Sequence, residues 1–580
     1  MSNEEFEKIE NKTETISAVS ENGAAKVKES VWKDPKKRAS ILAAIVVVSI
    51  IVCFVLVLWA YFFKINYPTT TLTYKNISEL KKDYVLDDTN ERISSSSINY
   101  DSYLHSVTDV LAVFKHSYTL SEEGVLETNS AAANTAIIKS ILDEATGSII
   151  IYVDGNYKIN PIELRSNTTI VIQENCSLIG PTYDESLDNN ISFTVNNTTI
   201  GLLYAFDKNN ISIYGPGSIV CNGTTYTDEA EDSSVFAPLT EFNVKERVLE
   251  ARKRIRSALT SNRPHAVYFS ACSNIKFNSF KIEDSANWTC KFIDCNKIDI
   301  QDLVIDNNLH VANADGIDLV SCQDVNVFHC FIATADDGVC VKANGRLKSE
   351  DIKVNYCTII SMANCFKIGT ETYQDIKNVS VLNCYFMLPS GVCGGYAGVA
   401  IESADGSNIY NVTVDNIYMS GISSPFLIWL GSRGATLGEA ASVGSIQKIK
   451  ITNITSNNCE LPSAITGCEY DGANYRVKDV LIANFVANYR NTAEKLNVGD
   501  GKDEDGMTGY PEITRVLHFY FMSHEKSKYN DLPVYGLFAR HVDGIEVNNM
   551  KVNPRSSSKL IRDNITQAAN RIDCWNVAVK

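Results

Sequence analysis

Positive charge is in short supply. The 580-residue chain carries 53 Lys and Arg against 69 Asp and Glu, a formal net charge of −16. A nucleic-acid partner favours a basic surface, so none is expected. The same deficit weakens any purely electrostatic grip on a polyanion, so an acidic substrate needs cations concentrated locally. There are 16 cysteines but no Cys-x-x-Cys pair, which leaves a zinc site without support. Nucleotide-binding, metal-cluster and serine-nucleophile motifs are absent too, so no metal and no cofactor is expected. The leucine pattern of leucine-rich repeats is also missing. The bulk composition that remains, 44% apolar and 21% charged, is that of a globular protein.

One apolar run stands out. Residues 39–63 read ASILAAIVVVSIIVCFVLVLWAYFF, without a charge, between Arg38 and Lys64. A helix needs roughly 20 apolar residues to cross a bilayer. The run is too long and too far from the N-terminus for a cleaved signal peptide. The preceding Lys33-Asp34-Pro35-Lys36-Lys37-Arg38 is basic, which keeps the N-terminus cytoplasmic. The expected layout is a disordered cytoplasmic tail (1–38), a transmembrane helix (39–63), a polar stalk (64–115) and a folded domain (116–580). This describes a single-pass type II membrane protein, expected as a monomer, with its domain lumenal or extracellular. Asn-x-Ser/Thr triplets recur from Asn76 to Asn564 and permit glycosylation, although Asn beside alternating Thr, Ser and Ile also suits stacked coils.

The folded region repeats. FSACSNIKFNSFKI (269–282), FIDCNKIDIQDLVI (292–305), LVSCQDVNVFHCFI (319–332) and YQDIKNVSVLNCYF (373–386) share one design. Each has a polar turn, then apolar residues alternating with polar ones. Cys330, Cys357 and Cys384 follow one another at equal steps of 27 residues. Such a period means stacked repeats. Strict alternation with β-branched residues means strands whose every second side chain points inward. The reading is all-β: a single-stranded, right-handed parallel β-helix. A helix expected within Asn129–Thr146, with Ile137, Ile138, Ile141 and Leu142 on one face, would cap its N-terminal end. Cys330, Cys357, Cys384, Asn416, Asn453 and Asn484 are expected to stack as one ladder, and Cys272, Cys295 and Cys322 as another. Buried free thiols are favoured over disulfides there, because small residues suit tight stacks.

Two acidic motifs lie about one coil apart. One is Asn313-Ala314-Asp315-Gly316-Ile317-Asp318 and the other is Ala335-Asp336-Asp337-Gly338. Hydrolysis of a glycosidic bond needs one protonated acid and one carboxylate that activates water or attacks. Crowded carboxylates repel, which keeps a proton available near neutral pH. An isolated Asp-Asp would more often decorate a solvated face or bind calcium. Four aspartates in two stacked motifs favour catalysis.

These motifs resemble those of the polygalacturonase family, glycoside hydrolase family 28. NADGID is similar to the family's Asn-Thr-Asp motif and ADDGV to its Asp-Asp motif. LRSNTTIVIQENCSLIG, IYGPGSIVCNG and RPHAVYFSACSNIKF also resemble family segments, in family order, over about residues 125–552. CFKIGTET, GVAIESADG, PFLIWLGSRG and LPVYGLFARHV resemble a bacterial-type branch. The resemblance implies a pectin-lyase-like β-helix and a polysaccharide substrate cut with inversion. By matching position, Asp336 is the general acid, Asp315 and Asp337 activate water, and Asp318 supports the site. Two family features are missing. Asn364-Cys365 stands where the family has His-Gly, and Ala400-Ile401-Glu402 where it has Arg-Ile-Lys. Lys342 and Lys367 could replace the lost cations, or pair with Glu371 and Glu402. Arg433 and His541 are further substrate-binding candidates, and Trp288 and Trp429 candidate stacking platforms. Two other functions remain open: a polysaccharide lyase or epimerase on the same fold, and a non-catalytic surface glycan-binding protein.

Overall fold

The alternation of apolar and polar residues makes strands, and the register of their pairing turns the strands into coils. The computed structural model describes residues 116–228, 258–388, 394–432, 442–459, 462–470, 472–489, 536–553 and 569–579. The tail, apolar run and stalk expected within 1–115 lie outside the described residues, as does Arg433. Among the described residues no helix is long and apolar enough to cross a membrane.

Apart from two short antiparallel hairpins, strands pair in parallel, each with the strand one coil further on, in three ladders. The first runs from Ile149–Val153 through Thr168–Ile172, Asn209–Tyr214, Ser273–Asn278, Asn296–Gln301 and Gln323–Phe328. The second includes Ser218–Val220, Lys281–Glu283, Val304–Asp306, Phe331–Thr334 and Thr358–Ser361. The third includes His265–Ser270, Cys290–Ile293, Ile317–Val320, Val339–Ala343, Phe366–Thr372, Gly394–Ser403 and Ile422–Leu430. This is a parallel β-helix, and the third ladder carries the aspartate motifs.

Period-2 alternation sends one set of side chains inward. Phe269, Phe292, Leu319, Val341, Ile368, Ile401, Ile428 and Ile465 follow one another in register, and all are fully buried. The expected helix is present as Ala131–Glu144. Ser130 caps it, accepting from the backbone N–H of Ala133 at 3.2 Å. Its buried Ile138, Ile141 and Leu142 join the same core as Ile149 and Ile151, so the helix covers the open end of the stack.

The cysteine and asparagine ladders differ from expectation by one residue. Cys330, Cys357 and Cys384 do stack inward, but Cys384 pairs with Ile417, then Ile454 and Phe485. Asn416 instead lies over Asn383, its side-chain amide donating to the Asn383 Oδ1 at 2.8 Å. The reason is backbone conformation. Asn383, Asn416, Asn453 and Asn484 are all left-handed, with φ between 53° and 55°. Asparagine tolerates that region, and it turns the chain between the first and second ladders. The Cys272, Cys295 and Cys322 ladder stands as expected. Every described cysteine is a free thiol. The triplet asparagines Asn210, Asn378, Asn411 and Asn453 also spend their amides on bonds to the neighbouring coil.

Asn484 donates to Asn453 at 2.9 Å and accepts from Asn549 at 2.9 Å. Asn484→Ala should cost about 2 kcal/mol in denaturant unfolding, from lost bonds and left-handed strain together. Asn484→Gly should cost less, since glycine relieves the strain. Equal losses in the two variants would show that strain has no share.

Candidate active site

The site is built at the corner that leads into the third ladder. There the backbones of successive coils are tied together: Thr289 N–H donates to the Asp315 carbonyl, Gly316 N–H to that of Asp337, and Gly338 N–H to that of Asn364, at 2.8–2.9 Å. A Cβ on Gly316 would come within 2.3 Å of the Gly338 carbonyl oxygen, and one on Gly338 within 2.4 Å of Ile359. Each of the two Asp-Gly pairs therefore has a steric cause. Glycine lets the coils close, and the aspartate before it turns outward beside its counterpart. Arg263 braces the corner from behind. Its guanidinium donates to the carbonyls of Ala286 (2.7 Å) and Ala312 (2.5 Å) and to Asn313 Oδ1 (2.9 Å).

Asp315, Asp336 and Asp337 converge, with one carboxylate oxygen of each lying within 4.8 Å of the others. Asp315 and Asp337 are buried, while Asp336 is half-buried and reaches solvent. Asp337 is heavily engaged. Its Oδ1 accepts from the Asn364 backbone (3.2 Å) and side chain (2.7 Å), and its Oδ2 meets Lys367 Nζ at 3.0 Å. Asn364 thus holds the Asp337 carboxylate from the position where the family's histidine is missing. Asp315 Oδ1 and both oxygens of Asp318 are buried without a hydrogen-bond partner.

The charges separate the carboxyls by role. Burial, then the charges of Asp318, Asp336 and Asp337, drives the Asp315 carboxyl well above the ordinary carboxylate range. Burial also pushes Asp337 upward, but Lys367, Lys342 and the Asn364 amide outweigh it and hold Asp337 low. Burial lifts Asp318 to about 8 against the pull of Lys342 and Lys291. The centre therefore keeps one readily ionised carboxylate beside a reluctant one. Among the described residues, these three aspartates are the group spaced to hold a metal ion. Lys367 and Lys342 beside them oppose a further cation.

The remaining candidates divide. Lys342 pairs with Glu371 at 2.7 Å, not with Glu402. Lys367 pairs with Asp337, with Glu402 close enough to reinforce its charge. Both lysines are committed within the site and are not loose replacements for lost cations. His541 is buried and accepts from Arg540 Nε at 3.1 Å, in the coil five steps beyond that of Asp337. At about 4.8 Å per coil this is roughly 24 Å away, so His541 does not join the cluster of aspartates. Trp429 is 5% exposed, which leaves no face for a sugar. Sequence reasoning overlooked Lys291 and Arg263, and noted Asn364 only as a departure from the family pattern. Lys291 stands directly beside Asp318 in the register, and the 27-residue step between them was the signal that could have found it.

Asp318 yields a stability prediction. Its folded-state value lies above its unfolded one, so between about pH 4 and pH 8 the folded state holds the extra proton. Stability from this group therefore falls as pH rises through that window. Asp318→Asn mimics the neutral form, so its melting temperature should gain on the parent's between about pH 5 and about pH 8. A constant offset across that range would show that Asp318 is ordinarily ionised.

Known proteins resemble this chain in sequence and in fold. The family described as glycosyl hydrolases family 28 matches residues 155–484. An endo-polygalacturonase of Pectobacterium carotovorum subsp. carotovorum is 23% identical over 349 residues, 59% of this chain and 73% of that protein. Two solved structures share the fold. A hyperthermoactive exopolygalacturonase from Thermotoga maritima has a TM-score of 0.53 at 18% identity, covering 67% of this chain and 92% of that one. The family 28 exopolygalacturonase of Yersinia enterocolitica has a TM-score of 0.51 at 13% identity, covering 80% of this chain and 78% of that one. The family match spans more than half of the chain and takes in all four motif aspartates, the stacked corner that carries them and Asn364, and on this ground the chain belongs to glycosyl hydrolases family 28.

Proposed function

We propose that the chain hydrolyses glycosidic bonds in galacturonate-rich, pectin-like polysaccharides. Asp336 is the general acid, and Asp315 and Asp337 hold the attacking water. The convergence of the three carboxylates on one outward corner carries this reading. Asp336 is the member that reaches solvent, so it can meet the leaving oxygen. Asp337, kept ionised by Lys367, is fitted to draw a proton from water. The relatives' substrate supports galacturonan as the polymer.

The reading includes a right-handed coil, the hand that parallel crossovers take. It also includes a type II topology, supported by the uncharged run at 39–63 and the basic residues before it.

The stereochemistry has a rival. Inverting pairs commonly stand roughly 6.5–9.5 Å apart and retaining pairs about 5 Å. Carboxylate oxygens within 4.8 Å of one another favour retention on that count alone. Retention needs a free nucleophile, however. Asp337 accepts two hydrogen bonds on one oxygen and an ion pair on the other, and the Asp315 carboxyl favours its neutral form. Neither is placed to attack a sugar carbon, whereas holding water asks less of them. We therefore favour inversion.

Asp336→Asn should lower reducing-sugar release from galacturonan by a factor on the order of 10²–10⁴, with the thermal unfolding of the domain unchanged. Proton NMR of the first-formed product should show the anomer opposite to that of the bond cut. The retained anomer would overturn the single displacement. Full activity in the variant would overturn the acid assignment. An unsaturated, ultraviolet-absorbing product would point to a lyase.

A further inference from the structure

We infer that Lys291 forms a carboxylate-binding subsite one coil on the N-terminal side of the catalytic aspartates, taking a uronate unit of the substrate. This rests on the galacturonan reading above and adds where the polymer's charge is received.

The cations of the site can be followed one by one. Lys342 is paired with Glu371 at 2.7 Å and Lys367 with Asp337 at 3.0 Å. The Arg263 guanidinium is spent on two backbone carbonyls and Asn313. On the C-terminal side, Ala400 and Glu402 offer no positive charge. Lys291 differs from all of these. Among the described residues its ammonium forms no ion pair with a carboxylate. It lies 4.5 Å from the centre of the Trp288 ring and 5.5 Å from that of Tyr268.

Its position suits a neighbouring sugar unit. Tyr268, Lys291, Asp318, Cys340 and Lys367 form one outward column of the third ladder, one residue per coil. Lys291 is thus about 4.8 Å along the stack from Asp318, and its coil is bonded directly to the backbone of Asp315 through Thr289. Trp288 also carries the Lys342 ammonium 4.7 Å from its ring centre. The indole therefore holds cations in place and is not an open stacking platform.

The energetics point the same way. A half-buried ammonium held by aromatic rings has lost water without gaining a full counter-charge. Burial lowers its proton affinity, and Asp318 restores only part of it. Burial also favours the neutral form of Asp318. A uronate carboxylate supplies the missing charge, and a methyl-esterified unit does not.

The test is calorimetric binding of trigalacturonate and of its methyl ester to the full-length chain in an Asp336→Asn background. That background should bind the acid more tightly than the ester, and added salt should reduce the difference. Lys291→Met should weaken acid binding about tenfold, the weight of one charge-assisted contact, and leave ester binding within about twofold. Lys291→Arg should keep the preference for the acid. Equal binding of acid and ester before the lysine is changed overturns the subsite, and this comparison needs no Lys291 variant to fold. Equal losses for both ligands in Lys291→Met also overturn it, because they mark a structural role. Hydrolysis of galacturonan by the parent is scored separately. A parent that cleaves galacturonan without Lys291-dependent discrimination rejects only the subsite. A parent that does not cleave it rejects the functional reading.

Discussion

Everything in this molecule depends on parallel backbone pairing from one coil to the next. A strand that donates and accepts along both edges fixes the height of each coil at about 4.8 Å. That spacing stacks Phe292 on Phe269 inside and Asp318 beside Lys291 outside. It also brings residues far apart in the chain, such as Asp318 and Cys340, into contact, with no helix or hinge to position them. The convergence of the aspartates is therefore a by-product of register. A one-residue slip would send Asp318 inward and Leu319 outward, exchanging the site for the core.

The centre is made by placing like charges where they are least comfortable. Asp315 and Asp318 are buried with oxygens that find no donor, and only the lysines nearby make this tolerable. Isolated, such carboxyls would destabilise the fold. Between Lys342, Lys367 and Lys291 they share protons and charge as a group. The long inward stacks of Ile, Val, Leu and Phe supply the stability that lets one corner carry this strain.

Much of this was legible in the sequence, for physical reasons. Strand periodicity, the 27-residue step of the cysteines and the helix at Ala131–Glu144 all follow from side-chain patterning, which is local. The Asp-Gly pairs were readable because sterics leave only glycine room there. Other features depend on how far side chains reach between coils. Spacing alone left Lys342 free to pair with Glu371 or Glu402, and only the rotamers decide for Glu371. The asparagine ladder was misjudged by one residue because a left-handed turn shifts the outward series relative to the inward one. His541 entered as a candidate through the resemblance of its segment, and only the strand pairing shows it five coils from Asp337.

The coils do not all consume the same length of chain. From Cys384 to Ile417, Ile454 and Phe485 the register advances by different numbers of residues, yet the strands keep their pairing. The surplus is taken up at the corners. Each coil feels chiefly its two neighbours, so an added loop disturbs little beyond its own level. Heredity can then act on two traits separately. Lengthening a corner alters what surrounds the three aspartates, while the stack that positions them passes unchanged to the next generation. What the site accepts can then vary while the fold that presents it stays the same.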